Sequence, residues 1–123
     1  MAKSVAIIGA SSNRGKFGNK AVRAYLSKGW KVFPVNPREE FIEGIKCYKS
    51  IKDLQQKCDR ISIYLPPAVT LTIIPELKEA LAKEVILNPG AESDELIAAL
   101  KKSGINPLLI CSIWAIGIDP DTL

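Results

Sequence analysis

The residues best placed to do chemistry form one stretch, Gly9-Ala10-Ser11-Ser12-Asn13-Arg14-Gly15-Lys16-Phe17-Gly18. Its small side chains let a ligand approach the backbone, and Gly15 and Gly18 carry no Cβ to obstruct it. Arg14 and Lys16 place cations beside the start of a following amphipathic segment. Free N–H groups at a helix start, flanked by cations, suit a phosphate ester. Two familiar phosphate loops fail on spacing. A dinucleotide fingerprint beginning at Gly9 needs glycines at 11 and 14, where Ser11 and Arg14 stand. A nucleoside-triphosphate loop needs four residues between its glycines and a hydroxyl residue after the lysine; here five intervene and Phe17 follows Lys16.

Other chemistry is excluded by composition. There is no histidine, which removes Ser-His-Asp and Cys-His catalysis, phosphohistidine chemistry and most zinc sites. Cys47, Cys58 and Cys111 are odd in number and lack Cys-x-x-Cys spacing, so they read as free thiols in a reducing compartment. Cys111 reads as a small hydrophobe at a strand end and not as a nucleophile, because no base accompanies it. Glu92, just before a helix start, is explained by the helix dipole without a role as general base.

A site of this kind needs a scaffold, and the rest of the chain supplies one. Ser4 to Gly9 is a near-continuous apolar run, the form of a strand covered on both faces. Phe17 to Lys28 has helical spacing and stops at Gly29. Lys31 to Val35 is a second strand, in which Pro34 leaves one side irregular. Ile45 to Tyr48 is a short edge strand. The pattern Ser50-Ile51-Lys52-Asp53 opens a short helix to about Lys57. Ile61 to Leu65 is a strand ended by Pro66-Pro67, and a helix follows, regular from Ile74 to about Lys83 because of Pro75. Val85 to Leu87 is a buried strand, Ser93 caps a helix ending before Gly104, and Leu108 to Cys111 is the last strand. This alternation predicts an α/β protein: a three-layer, doubly wound, Rossmann-like parallel sheet of order 3-2-1-4-5-6 with a short strand 3. Ligands of such sheets lie beyond the carboxyl ends of the strands where the winding reverses, between the loop after Gly9 and the loop after Leu65.

The loop after the second strand selects the ligand. A site for a ribose 2′-hydroxyl, as in NAD, wants Asp or Glu there; this chain has Asn36-Pro37-Arg38, with acids only at Glu39 and Glu40. A guanidinium in that place suits a phosphate on the ribose, as in coenzyme A or NADP.

The length of 123 residues predicts one domain, 1–123, with a core that needs no metal or disulfide. The composition is 47% apolar and 24% charged with net charge +4, which suits an anionic small ligand. No Lys/Arg run exceeds Lys101-Lys102, and no basic stripe is interleaved with aromatics, so nucleic acid is not expected as a partner. Neither a leader peptide nor a membrane span is read: Met1-Ala2-Lys3-Ser4 runs straight into a strand, and the longest apolar stretch is the eleven residues Leu108 to Ile118. The expected location is the cytoplasm.

Ile8-Gly9-Ala10-Ser11, Lys16-Phe17-Gly18-Asn19, Val35-Asn36-Pro37, Leu65-Pro66-Pro67 and Asn88-Pro89-Gly90-Ala91-Glu92-Ser93 together resemble the small single-domain CoA-binding proteins. Those are similar in turn to the CoA-binding domain of the succinyl-CoA synthetase alpha subunit. The resemblance runs in order to about Cys111. It implies coenzyme A as the ligand, with its pyrophosphate on the loop Ala10, Ser11, Asn13, Arg14, Gly15 and Lys16 after Gly9. It implies Asn36, Pro37 and Arg38 at the adenosine end, and Leu65, Pro66, Pro67, Asn88 and Pro89 bordering nucleotide and pantetheine. Beyond Cys111 the chain departs: family members continue with a methionine and a charged stretch, whereas Ser112 to Gly117 is apolar here. The ligase reaction does not carry over, since its phosphohistidine belongs to a second domain.

The expected function is therefore binding of coenzyme A or an acyl-CoA without catalysis, alone or beside a partner enzyme. The alternative is an NADP-binding enzyme or redox-responsive regulator. A protein-interaction domain that has lost its ligand is the third reading. The apolar tail of Trp114, Ile116 and Ile118 either packs on the sheet or forms an interface, as in a homo-oligomer.

Overall fold

The computed structural model describes residues 2–123; Met1, at the head of the N-terminal stretch discussed above, lies outside the described residues. Its centre is a four-stranded parallel sheet of order β2-β1-β5-β6. The strands are β1 (Ser4–Ile8), β2 (Lys31–Val35), β5 (Arg60–Ile63) and β6 (Glu84–Leu87), with β3 (Phe41–Ile42) and β4 (Ile45–Lys46) forming a separate antiparallel pair. Every residue of β1 is buried, as the unbroken apolar run requires of a strand covered on both faces. Its alternate residues feed two cores. Val5 and Ile7 join Val32 and the buried Ala21, Val22, Ala24 and Tyr25 of helix α1 (Phe17–Ser27). Ala6 and Ile8 join Phe33, Val35, Ile61, Ile63, Val85 and Leu87, with Leu77 of α3 (Ile74–Ala80) and Leu96 and Leu100 of α4 (Asp94–Lys102). The short α2 (Pro67–Leu71) precedes α3.

The sequence marks the ends of the long helices. α1 closes at Gly29 (φ +79°), and the Trp30 N–H donates to the Tyr25 carbonyl at 3.1 Å. α4 opens at Ser93, whose Oγ accepts from the Leu96 N–H at 3.1 Å, carries Asp94 and Glu95 in its first turn and ends on Lys101 and Lys102. α3 begins at Ile74 with Pro75 in its first turn, as the proline dictates. It stops at Ala80, before the expected Lys83, because Leu81 turns left-handed at φ +50°.

Both sheet edges are shorter than the six-stranded reading predicts. Tyr48 makes one parallel bridge to Val35, and Leu108 makes one to Ile86; neither extends into a strand. At the first edge Pro34 offers no N–H to a neighbour, and Tyr48 instead donates to the Pro34 carbonyl at 2.9 Å. Residues Ile45 and Lys46, expected at that edge, pair with Phe41 and Ile42 across the turn Glu43-Gly44. At the second, Leu108 joins Val85 and Leu87 through two backbone bonds of 2.8 and 2.9 Å, after which Leu109 and Ile110 remain exposed. The helix expected from Ser50 to Lys57 is a single 3-10 turn, Ile51–Asp53, with Ser50 Oγ accepting from the Lys52 N–H.

Among the described residues, no helix is long and apolar enough to cross a membrane. Cys47 and Cys58 are buried and Cys111 half-buried, all as free thiols. The apolar tail divides: Ile113 is fully buried against the α1 face, Ile116 and Ile118 pack beside it, and Trp114 is exposed.

Candidate functional site

The carboxyl ends of β1, β2 and β5 open onto a groove of about 990 Å³, at the upper end of the range of about 300–1,000 Å³ found for ligand clefts. One wall is the β1–α1 loop. Gly9 leaves the strand at φ +88°, and a Cβ there would meet the Tyr64 carbonyl carbon at 3.0 Å, so the loop lies directly against the end of β5. Gly18 brings the start of α1 equally close: a Cβ on it would stand 2.3 Å from the Gly9 carbonyl oxygen. Gly18 thus serves packing, whereas Gly15 meets only Asn13 Oδ1, at an ordinary 3.4 Å.

Within the loop, Asn13 organises the backbone. Its N–H donates to Ser11 Oγ at 3.0 Å, its Oδ1 accepts from the Gly15 N–H at 3.0 Å, and its carbonyl accepts from the Lys16 N–H at 3.1 Å. Those amides are therefore occupied. The next two, of Phe17 and Gly18, find no acceptor among the described residues, and α1 has neither a capping side chain nor an acidic residue in its first turn. The positive end of an eleven-residue helix consequently faces the groove uncompensated.

Asn36 ties the second wall to the first. Its Nδ2 donates to the Ala10 carbonyl and its Oδ1 accepts from the Arg38 N–H, both at 2.8 Å. This fixes the turn that carries Pro37 and the exposed Arg38. Lys16 and Arg38 line the groove and form no ion pair among the described residues. Leu65, Pro66 and Pro67 make the third wall, with Pro89, Gly90 and Ala91 at one end. Next to the Asn36-Pro37 turn a pocket of about 440 Å³ continues inward over Ile8, Val35, Ile51, Leu65, Val69 and Ile73, and is mostly apolar.

Of the residues singled out from sequence, Gly9, Ala10, Ser11, Lys16, Asn36, Pro37, Arg38, Leu65, Pro66, Pro67 and Pro89 line the groove. Asn13, Arg14, Gly15 and Asn88 do not. Arg14 forms an ion pair with Glu43. Asn88 is buried, with its Nδ2 on Ser62 Oγ and the Ile63 carbonyl, both at 2.9 Å, and its Oδ1 accepting from the Ser112 N–H at 2.8 Å. It fastens the C-terminal segment to the sheet. Glu92 accepts from the Gly90 N–H, which closes the turn after Asn88.

Sequence reasoning missed the residues that hold the loop in place. Asn19, fully buried, donates to the Ser11 carbonyl at 2.9 Å and to Glu43 Oε2 at 3.0 Å. Arg23 donates to Asn19 Oδ1 and to the Arg14 carbonyl, both at 2.8 Å. Glu43 reaches this cluster from the β3–β4 turn, where it adopts φ +50°. The Asn19 bond chiefly, with the Arg14 and Arg23 charges, holds its carboxyl below the usual glutamate range, against a smaller opposing effect of burial. A polar residue on the buried side of α1 was the available signal for Asn19. Nothing local marked Glu43, since the contact spans more than twenty residues.

Tyr64 closes the floor. Its hydroxyl is buried without a hydrogen-bond partner, and burial pushes the phenol up to about 12, although the Ser112 and Ser62 hydroxyls pull the other way. A second pocket of about 350 Å³ beside Cys58, Ile61 and Ala80 lies toward the amino end of β5, away from this convergence. Among the described residues no cluster of His, Cys, Asp or Glu could hold a metal ion.

Comparison with known proteins identifies the family and the fold. An ADP-forming acetate–CoA ligase of Methanocaldococcus jannaschii is 38% identical over 89 residues, which cover 72% of this chain and 13% of the ligase. The chain thus spans a small fraction of the CoA ligases it matches. A conserved hypothetical protein from Pyrococcus furiosus has 37% identity and a TM-score of 0.81, covering 94% of this chain and 99% of that one. A dinucleotide-forming acetyl-coenzyme A synthetase of Candidatus Korarchaeum cryptofilum, solved with phosphate and ADP, has 29% identity and a TM-score of 0.75 over 88% of this chain and 25% of the synthetase. The CoA binding domain family itself matches residues 3–115. The chain belongs to that family: it is a CoA-binding domain with an α/β, parallel-sheet fold, homologous to the CoA-binding region of ADP-forming acetyl-CoA synthetases.

Proposed function

We propose that residues 1–123 act as a single module that binds coenzyme A or an acyl-CoA in the groove at the start of α1, without catalysis of its own. The diphosphate lies on the Phe17 and Gly18 amides beside Lys16, and the ribose 3′-phosphate meets Arg38. The adenine enters the apolar pocket over Val35 and Leu65, and pantetheine runs past Pro89. One observation carries this reading: two amides without acceptors, at an uncapped helix start, open onto a groove whose cations are not neutralised by the chain. Arg14 contributes through Glu43, by holding the loop. The bridges at Tyr48 and Leu108 stand as reduced outer strands of a doubly wound sheet.

Two features support a binding role. The chain has no histidine, and the half-buried Cys111 has no base hydrogen-bonded to it among the described residues. The module works alone or beside an enzyme that supplies the chemistry, as the ligases' longer chains do for their own domains.

Titration calorimetry with coenzyme A, dephospho-coenzyme A and NADPH tests the reading. Coenzyme A should bind, and loss of the 3′-phosphate should weaken it about tenfold, the worth of one charge-assisted contact. Equal affinity for the dephospho form would remove the Arg38 assignment. Thermal stabilisation by NADPH and not by coenzyme A would replace this reading with the NADP one.

A further inference from the structure

Beyond the groove, past Pro89, a second cavity of about 370 Å³ is walled by Phe17, Trp114, Pro89 and Pro120, with Cys111 at its side. It shares Phe17, Tyr64 and Pro89 with the groove, so the two spaces adjoin. Its lining is mostly apolar, and its only charged side chains are Asp119 and Asp121. The charges of the two neighbouring spaces are segregated, with Lys16 and Arg38 in the groove and two carboxylates in the cavity. Lys20 lies nearby, donating to the Pro120 carbonyl at 3.2 Å and standing 5.2 Å from the Phe17 ring centre, but it is not part of the lining. The cavity is built by the segment after Cys111, which is pinned by the buried Ser112 and Ile113 and so is formed before any ligand arrives.

We propose that this cavity receives the acyl group of an acyl-CoA and selects an uncharged chain over free coenzyme A and over an acyl chain ending in a carboxylate. The inference rests on the groove reading above: with the phosphates held near Lys16 and Arg38, the far end of the ligand is the end that reaches Trp114. An alkyl chain there leaves water for an apolar wall. A terminal carboxylate would meet Asp119 and Asp121 in a partly desolvated space, where like charges repel.

The test is calorimetry on the full chain with coenzyme A, butyryl-CoA and succinyl-CoA. Butyryl-CoA should bind about tenfold more tightly than coenzyme A, the order that burying a few methylenes gives after ordering costs. Succinyl-CoA should bind no better than coenzyme A. Trp114→Ala removes a side chain that is 58% exposed, so the fold should persist. It should abolish the butyryl advantage while leaving affinity for coenzyme A within about twofold. Asp121→Asn should improve succinyl-CoA alone. Equal affinity for coenzyme A and butyryl-CoA, or succinyl-CoA matching butyryl-CoA, in the unmodified chain overturns the assignment of the cavity. If Trp114→Ala melts below the working temperature, the unmodified chain and Asp121→Asn still decide. Absence of heat with all three thioester and thiol ligands overturns the groove reading itself, a distinct outcome.

Discussion

A methyl group at Gly18 has nowhere to go, although Gly18 lies in α1 where alanine is ordinarily favoured. Gly18→Ala should gain about 1 kcal/mol from helix propensity. Against this, the new Cβ would stand 2.3 Å from the Gly9 carbonyl oxygen and 3.2 Å from Ala10 Cα, both backbone atoms. Gly9 cannot retreat freely, because its N–H is bonded to the Val35 carbonyl at 3.1 Å and the Tyr64 backbone lies so close that a Cβ on Gly9 would stand 3.0 Å from it. Ordinary contact begins near 3.4 Å, so the start of α1 must back away by about 1 Å. Overpacking of that kind costs typically 1–3 kcal/mol, and a clash with backbone on both sides belongs at or beyond the top of that range. The net expectation is a loss of about 2 kcal/mol, or roughly 8 °C in a calorimetric melt of a domain this size. Moving α1 also moves the Phe17 and Gly18 amides, so affinity for coenzyme A should fall more than tenfold. Gly15→Ala is the control, with its single contact at 3.4 Å, and should change stability by less than about 1 kcal/mol. A Gly18→Ala protein that melts at or above the unmodified chain would refute the close approach of α1 to β1.

Three further outcomes are expected. Asn88→Ala leaves the buried Ser112 N–H without a partner inside the protein and removes the Asn88 donor from Ser62 Oγ, which still donates to Ser112 Oγ at 2.8 Å; it should cost about 2–3 kcal/mol in denaturant titration, with loosening of the tail seen as faster amide exchange at Ser112 and Ile113. Glu43 has a folded-state pKa below its ordinary value, so its contribution to stability is present above the usual glutamate range and is lost as pH falls through the lower folded value; Glu43→Gln should flatten the acid side of the melting-temperature profile, and an unchanged profile would show that the ion pair with Arg14 and the Asn19 bond do not persist in solution. Tyr64→Phe removes a buried hydroxyl that has no partner and should raise stability by about 1 kcal/mol, while in the unmodified chain one tyrosine should ionise only near pH 12 in an absorbance titration.

The central sheet was legible because strands buried on both faces must read as apolar runs, and Ser4 to Ile8, Ile61 to Ile63 and Val85 to Leu87 do. The edges were not. A half-exposed strand carries a weaker pattern, and whether Ile45 pairs with β2 or folds back on Ile42 depends on the turn Glu43-Gly44, where a non-glycine residue sits at positive φ. In the site, spacing identified the loop, the Asn36 turn and the proline turns, since each announces itself through Gly, Pro or Asn. It did not separate residues that face the groove from those that build it. Arg14 reads as a phosphate cation until Glu43 is seen beside it, and Asn88, which lies at the edge of the neighbouring cavity and not of the groove, spends its side chain on two bonds into β5 and one to the Ser112 N–H. Such distinctions rest on contacts between residues far apart in the chain, and local pattern carries no record of them.

The proposed coenzyme A site stands or falls with the amides that open α1. Titrating ¹⁵N-labelled protein with coenzyme A and following the amide resonances tests it most directly. Phe17 and Gly18 should show the largest downfield shifts, with Ala10, Ser11 and Arg38 responding at the same ligand concentration, and dephospho-coenzyme A should spare Arg38 alone. Binding that leaves Phe17 and Gly18 unmoved while resonances elsewhere shift would contradict it.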